Sequence, residues 1–157
     1  QKISVILREL IMAGDLVKFM LRNDLNILNL PLFYSKKYLF LSRTHVILGL
    51  AYKPDVDDMR ESPSLAIMDL LKEYNADISY YDPHIPVIPP TRDYLHWEGM
   101  HTVAWEEPVI RSFDAVIIST NHSSVDYNQL ANWCDCIIDT RNAMNGVEQK
   151  PGQVWKA

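Results

Sequence analysis

A chain of 157 residues, 48% hydrophobic and 22% charged, has the composition of one globular domain with the length to bury a core. A formal net charge of −5 excludes a general binder of nucleic acid or anionic membranes, while leaving room for a local basic site. Cys134 and Cys136 are too close for a disulfide framework and lack Cys/His partners at zinc spacing, so they are read as structural, in a reduced, cytoplasmic setting without a metal. No apolar run approaches the roughly 20 residues that span a bilayer, and Arg8 and Glu9 interrupt the only apolar stretch near the start.

Ile6, Leu10, Ala13, Val17 and Met20 form a helical stripe over residues 5–21, weakened by Gly14. Residues 24–43 are apolar but irregular, with Pro31 as a breaker. From residue 44 the rhythm is clear. "HVILGLAY" is a continuous apolar run, as expected for a strand covered on both faces. Ser62 and Pro63 open a helix as N-cap and first helical residue. That helix carries Leu65, Ile67, Met68, Leu70, Leu71 and Tyr74 at helical spacing, and Asn75 ends it in a left-handed conformation. "DISYYDP" is a second strand and the proline-rich 83–100 a loop. "TVAW" (102–105) is a short third strand, "EEPVIRSF" a short helix and "DAVIIST" a fourth strand. "SVDYNQLANWC" is helical, "CIIDTRN" is a fifth strand, and the tail after Gly146 is expected to be loose. The alternation predicts an α/β, Rossmann-like open parallel sheet of about five strands, order 3-2-1-4-5, with helices on both faces. An N-terminal helical segment, 1–43, precedes a domain at 44–157.

Ligands of such sheets bind beyond the carboxyl ends of the strands, where the strand order reverses. Lys53 and Arg60 follow the first strand, Thr120 and His122 the fourth, Arg141 and Asn142 the fifth. Cations and hydrogen-bonding groups at one edge suit a ligand with phosphates. Each residue also has a plainer reading: Arg60 pairing with Asp57 or Asp58, His122 as a surface or capping histidine, Arg141 as a solvated loop residue. A dinucleotide turn, G-x-G-x-x-G, is absent, because the first turn reads "GLAYKP" with Gly49 alone. Asp82 stands where a ribose-binding acid would, but without the glycines it reads as a strand-ending Asp-Pro turn.

"GLAYKPDVDDMRESPS" (49–64), followed in order by "YYDPHIPVIPP", "STNH" and "IIDTRN", strongly resembles the C-terminal domain of the UDP-glucose/GDP-mannose dehydrogenase family over residues 44–147. The proline-rich loop looks closest to the bacterial UDP-N-acetylglucosamine 6-dehydrogenase branch. The resemblance implies an enzyme that oxidises the C6 alcohol of a nucleotide sugar to a carboxylate with two NAD⁺. In that family an N-terminal domain binds NAD, a central domain carries the catalytic cysteine, and the C-terminal domain binds the nucleotide. By motif position Tyr52 and Lys53 line the UDP site, Arg141 contacts the substrate, and Arg60 faces the domain interface on the cofactor side. His122 is a weaker carry-over.

The departures are large. There is no dinucleotide fingerprint, neither cysteine has the catalytic context, and residues 1–43 do not match the family's connecting helix. The chain, which begins at Gln1, is therefore expected to be a fragment without a catalytic residue of its own. It would be inactive alone and bind no NAD itself. Its expected partners are a UDP-sugar, the NAD-binding and central domains of the full enzyme, and a second copy in a homo-oligomer. A stand-alone UDP-binding or regulatory module, or an inactive remnant, is the alternative.

Overall fold

The run after residue 44 must be covered on both sides to be stable, and the folded chain covers it. A computed structural model describes residues 44–73 and 75–156. The helix expected over residues 5–21, the rest of segment 1–43 and Tyr74 lie outside the described residues. Strand β1 (Thr44–Leu48) leads to α1 (Pro63–Glu73), β2 (Asp77–Tyr81), a 3-10 turn (Leu95–Trp97), α2 (Glu107–Arg111) and β3 (Ala115–Ile118). Then come α3 (Tyr127–Trp133), β4 (Ile137–Asp139) and β5 (Val154–Lys156). The strand pairings of this sheet are parallel, in the order β2-β1-β3-β4-β5.

Alternation along β1 divides the core. Ile47 faces a cluster with Leu65, Ile67, Met68 and Leu71 of α1 and Ile78, Tyr80 and Ile117 of the sheet. Val46 and Leu48 face the other cluster, with Ile110 of α2, Leu130 and Ala131 of α3, and Val116, Ile118 and Ile137. A side chain's direction reverses at each strand residue, so one apolar run supplies both layers.

Local signals act where expected. The Ser62 hydroxyl accepts from Ser64 N at 3.2 Å, and Asn75 has φ +62° after α1. Asp126 caps α3, accepting from the amides of Asn128 and Gln129.

Two expectations about edge strands are corrected. Residues 102–105 lie beside β2 but do not form a strand. Val103 N donates to Tyr80 O at 2.9 Å, yet Asp82 N donates to the Thr102 hydroxyl instead of a main-chain carbonyl. A side chain has replaced the next rung of the ladder. The fifth strand is instead at the opposite edge, in the tail expected to be loose. There β5 pairs with β4 from Ile137↔Val154 to Asp139↔Lys156. Buried Gln153 anchors it, its amide group donating to the carbonyls of Ala131 and Cys134.

Candidate functional site

The first connection crosses from β1 to β2 and the chain then returns to β3 on β1's other side, so the switch point lies between β1 and β3. Its floor is made of close backbone contacts. Gly49 has φ +87°, and a Cβ there would lie 2.3 Å from Thr120 O, so only glycine fits. Ser119 N and Thr120 N both donate to Leu48 O. The Thr120 hydroxyl donates to Ala51 O at 2.6 Å, and the Ser64 hydroxyl donates to Gly49 O at 2.9 Å. Thr120 is 1% exposed, and its hydroxyl fastens the turn after β1 to the end of β3.

Asp82, at the carboxyl end of β2, holds the next layer. Its Oδ2 accepts from Leu50 N (2.6 Å), Ala51 N (3.0 Å) and His122 Nε2 (3.1 Å). Its Oδ1 accepts from His84 N (2.8 Å) and Ile85 N (3.1 Å). Burial pushes the Asp82 pKa up, but the His122 N–H and the amides of His84 and Ala51 outweigh it, and the net direction is down. Asp82 is therefore a buried brace between the loops after β1 and β2, consistent with its reading as a turn residue.

His122, expected on the substrate side, is buried beneath the rim. Its side chain has no exposed surface, and both ring nitrogens are engaged. Nδ1 accepts the Asp55 amide at 3.0 Å, so the ring proton is on Nε2 and is donated to Asp82. Asp55 also accepts from Ser123 N at 2.8 Å, a bond that lowers its carboxyl pKa. In this arrangement His122 stitches the loop after β1 to the loop after β3. Nothing in local spacing pairs His122 with an aspartate 40 positions away.

On this braced frame stand the exposed groups. Tyr52 is 37% exposed, and its amide donates to Asp58 O, closing the loop. Lys53 projects into solvent with Nζ 5.0 Å from the Tyr52 ring centroid. The Tyr52 hydroxyl holds the Lys53 pKa above its ordinary value, while Asp58 contributes weakly. No aspartate or glutamate forms an ion pair with Lys53 among the described residues. Arg60 follows its plainer reading: it grips Asp58 through Nε (3.0 Å) and Nη2 (2.7 Å), which lowers the Asp58 pKa to about 2. Its side chain is 88% exposed.

Arg141 reaches back from β4, its Nε donating to Ser119 O at the end of β3. Its two terminal nitrogens have no hydrogen-bond partner among the described residues. The structure thus brings Lys53 and Arg141 to the two sides of the switch point. Asn142 is turned away, its side-chain oxygen accepting from Lys156 Nζ at 2.9 Å.

The turn after β1 has Gly49 alone, packed against the Thr120 backbone, in place of the G-x-G-x-x-G arrangement by which a backbone approaches a pyrophosphate. The fold and site define a Rossmann-like domain with exposed cations at the switch point and no G-x-G-x-x-G turn. The chain belongs to the UDP-glucose/GDP-mannose dehydrogenase family, whose UDP binding domain matches residues 46–146. It is 36% identical over 110 residues to a UDP-glucose 6-dehydrogenase of Bacillus subtilis, covering 64% of this chain and 23% of that protein. It is 30% identical over 107 residues to a UDP-N-acetyl-D-mannosamine dehydrogenase of Methanococcus aeolicus, covering 63% and 22%. A solved UDP-D-ManNAc dehydrogenase from Pyrococcus horikoshii shares the fold at a TM-score of 0.56 and 21% identity, over 95% of this chain and 30% of that one. The chain thus spans under a quarter of the length of the two relatives matched by sequence.

Proposed function

We propose that the rim formed by Tyr52, Lys53 and Arg141 holds the UDP part of a nucleotide sugar, and that the domain, residues 44–157, serves a larger NAD-dependent enzyme. That enzyme oxidises the sugar's C6 alcohol to a carboxylate, with a UDP-glucose or UDP-N-acetylglucosamine type substrate. NAD and the hydride chemistry belong to its other domains. Arg60, paired with Asp58, faces the cofactor side of the interface between them. The observation that carries the reading is an exposed lysine and an arginine fork, neither ion-paired among the described residues, flanking the switch point on a loop fixed from below by Asp82 and His122. A charge left in solvent at that place is available to a diphosphate at little desolvation cost.

Calorimetry with UDP tests it. The chain should bind UDP saturably, and Lys53→Ala should weaken binding by about 1.5–3 kcal/mol, the scale of a charge-assisted hydrogen bond. The loss should shrink at high salt. Thermal stability without ligand should be unchanged, since the side chain is solvated. UDP affinity within twofold of wild type in Lys53→Ala would remove the lysine from the site, and no UDP binding at all would remove the site.

A further inference from the structure

His122 is held in the way that metal-binding histidines are held. Its Nε2–H is donated to a buried carboxylate, Asp82, which fixes the ring and leaves Nδ1 as a lone-pair donor. Nδ1 lies 3.8 Å from Asp55 Oδ1, and His84 Nε2 lies 3.9 Å from the same oxygen. The His84 and His122 rings have centroids 5.0 Å apart. All three potential ligand atoms fall within 4.8 Å of one another. Two imidazoles and one carboxylate suit zinc and its neighbours, not magnesium or calcium, which prefer all-oxygen sites.

We propose that Asp55, His84 and His122 bind a divalent transition-metal ion of the zinc class. Neighbouring ligand atoms of a tetrahedral zinc site are about 3.3–3.5 Å apart, so each imidazole must approach Asp55 by roughly half an ångström, and the two imidazoles, within 4.8 Å, must approach one another by up to about 1.4 Å. The parts able to move are the exposed ones. His84 is about one-third exposed on the loop after β2, and Asp55 is partly exposed on the loop after β1. The Asp55 amide now occupies His122 Nδ1 and must turn away. Asp55 holds φ +60°, a left-handed conformation that aspartate adopts readily in turns, on a loop exposed enough for the peptide to turn. The remaining coordination position would open to solvent. A bound ion would clamp three loops together: those after β1, β2 and β3.

Zinc calorimetry on the tag-free chain tests this independently of UDP. One zinc should bind per chain, with a rise in thermal midpoint as mass action requires. His84→Ala should weaken binding at least tenfold while keeping the metal-free midpoint, because its ring is partly exposed. His101→Ala should leave affinity within twofold. Cobalt should give visible d–d absorption in wild type that His84→Ala loses. No saturable zinc binding by wild type, or equal affinity in His84→Ala, would overturn the site. Loss of zinc in His96→Ala instead would place the metal beside Asp69 and overturn it equally.

Discussion

With five donors on its two oxygens, Asp82 stays ionised below the pH at which an ordinary aspartate, near 3.8, takes up a proton. The sign follows from the direction of the shift. A carboxyl whose folded pKa is depressed contributes stability above its unfolded value, and that contribution is lost as pH falls through the folded value. Asp82→Asn keeps the size but replaces one acceptor oxygen with a donor, so at least two buried N–H groups lose their acceptor. The variant should be less stable by about 3 kcal/mol at pH 7 in urea titrations. Its stability should also fall less steeply than wild type's as pH drops below about 3.8. A stability within about 1 kcal/mol of wild type would mean the brace is replaceable. Lys53 was legible because a cation directly after a buried strand must find solvent or an anion. Asp82 and His122 were not legible as a pair, since Asp82 read only as a strand-ending turn, and no local spacing joins it to a histidine 40 positions on.

Strands were legible in proportion to their length and burial. β1 and β3 are continuous apolar runs that only a two-sided sheet can hide, and α1 carries both its cap and its stop signal. The short, partly exposed segments "TVAW" and "VWK" give no such signal, and for each the decision rests with hydrogen bonds that one polar side chain makes to distant parts of the chain. Thr102 diverts one segment from the sheet and Gln153 recruits the other. Gln153 fills the gap between the end of α3 and β5, with its Oε1 accepting Lys150 N and its carbonyl accepting Ile137 N, both at 2.9 Å. Gln153→Ala leaves the Ala131 and Cys134 carbonyls without that partner. It should cost about 2 kcal/mol and speed amide exchange at Ile137 and along β5, while α1 exchanges as before. Unchanged exchange in β5 would show that Val154 and Trp155 hold the edge by packing alone.

At the scale of the whole molecule, the proposed function makes binding and chemistry separable: the rim would hold the diphosphate, and the hydride would be moved by other domains. Gly49 is the only glycine at the β1 exit, and the Thr120 backbone fills the space beside it. The chain has two cysteines. Cys134 is buried, donates its thiol to Cys136 O, and burial pushes its pKa up to about 11, far from a thiolate at neutral pH. Cys136 is partly buried and packs against the core on the α1 face of the sheet, away from the switch-point rim. A nucleophilic thiol needs access and thiolate character, and Cys134 has neither. The purified chain should therefore form no NADH from NAD⁺ with UDP-glucose or UDP-N-acetylglucosamine, even at UDP-sugar concentrations that saturate the rim. The measurement is NADH absorbance over time against a no-sugar control, with UDP binding confirmed in the same preparation. Sustained NADH formation that scales with chain concentration and disappears in Cys136→Ser would place the oxidation within this domain. A preparation that binds UDP and forms no NADH separates recognition of the nucleotide from oxidation of the sugar.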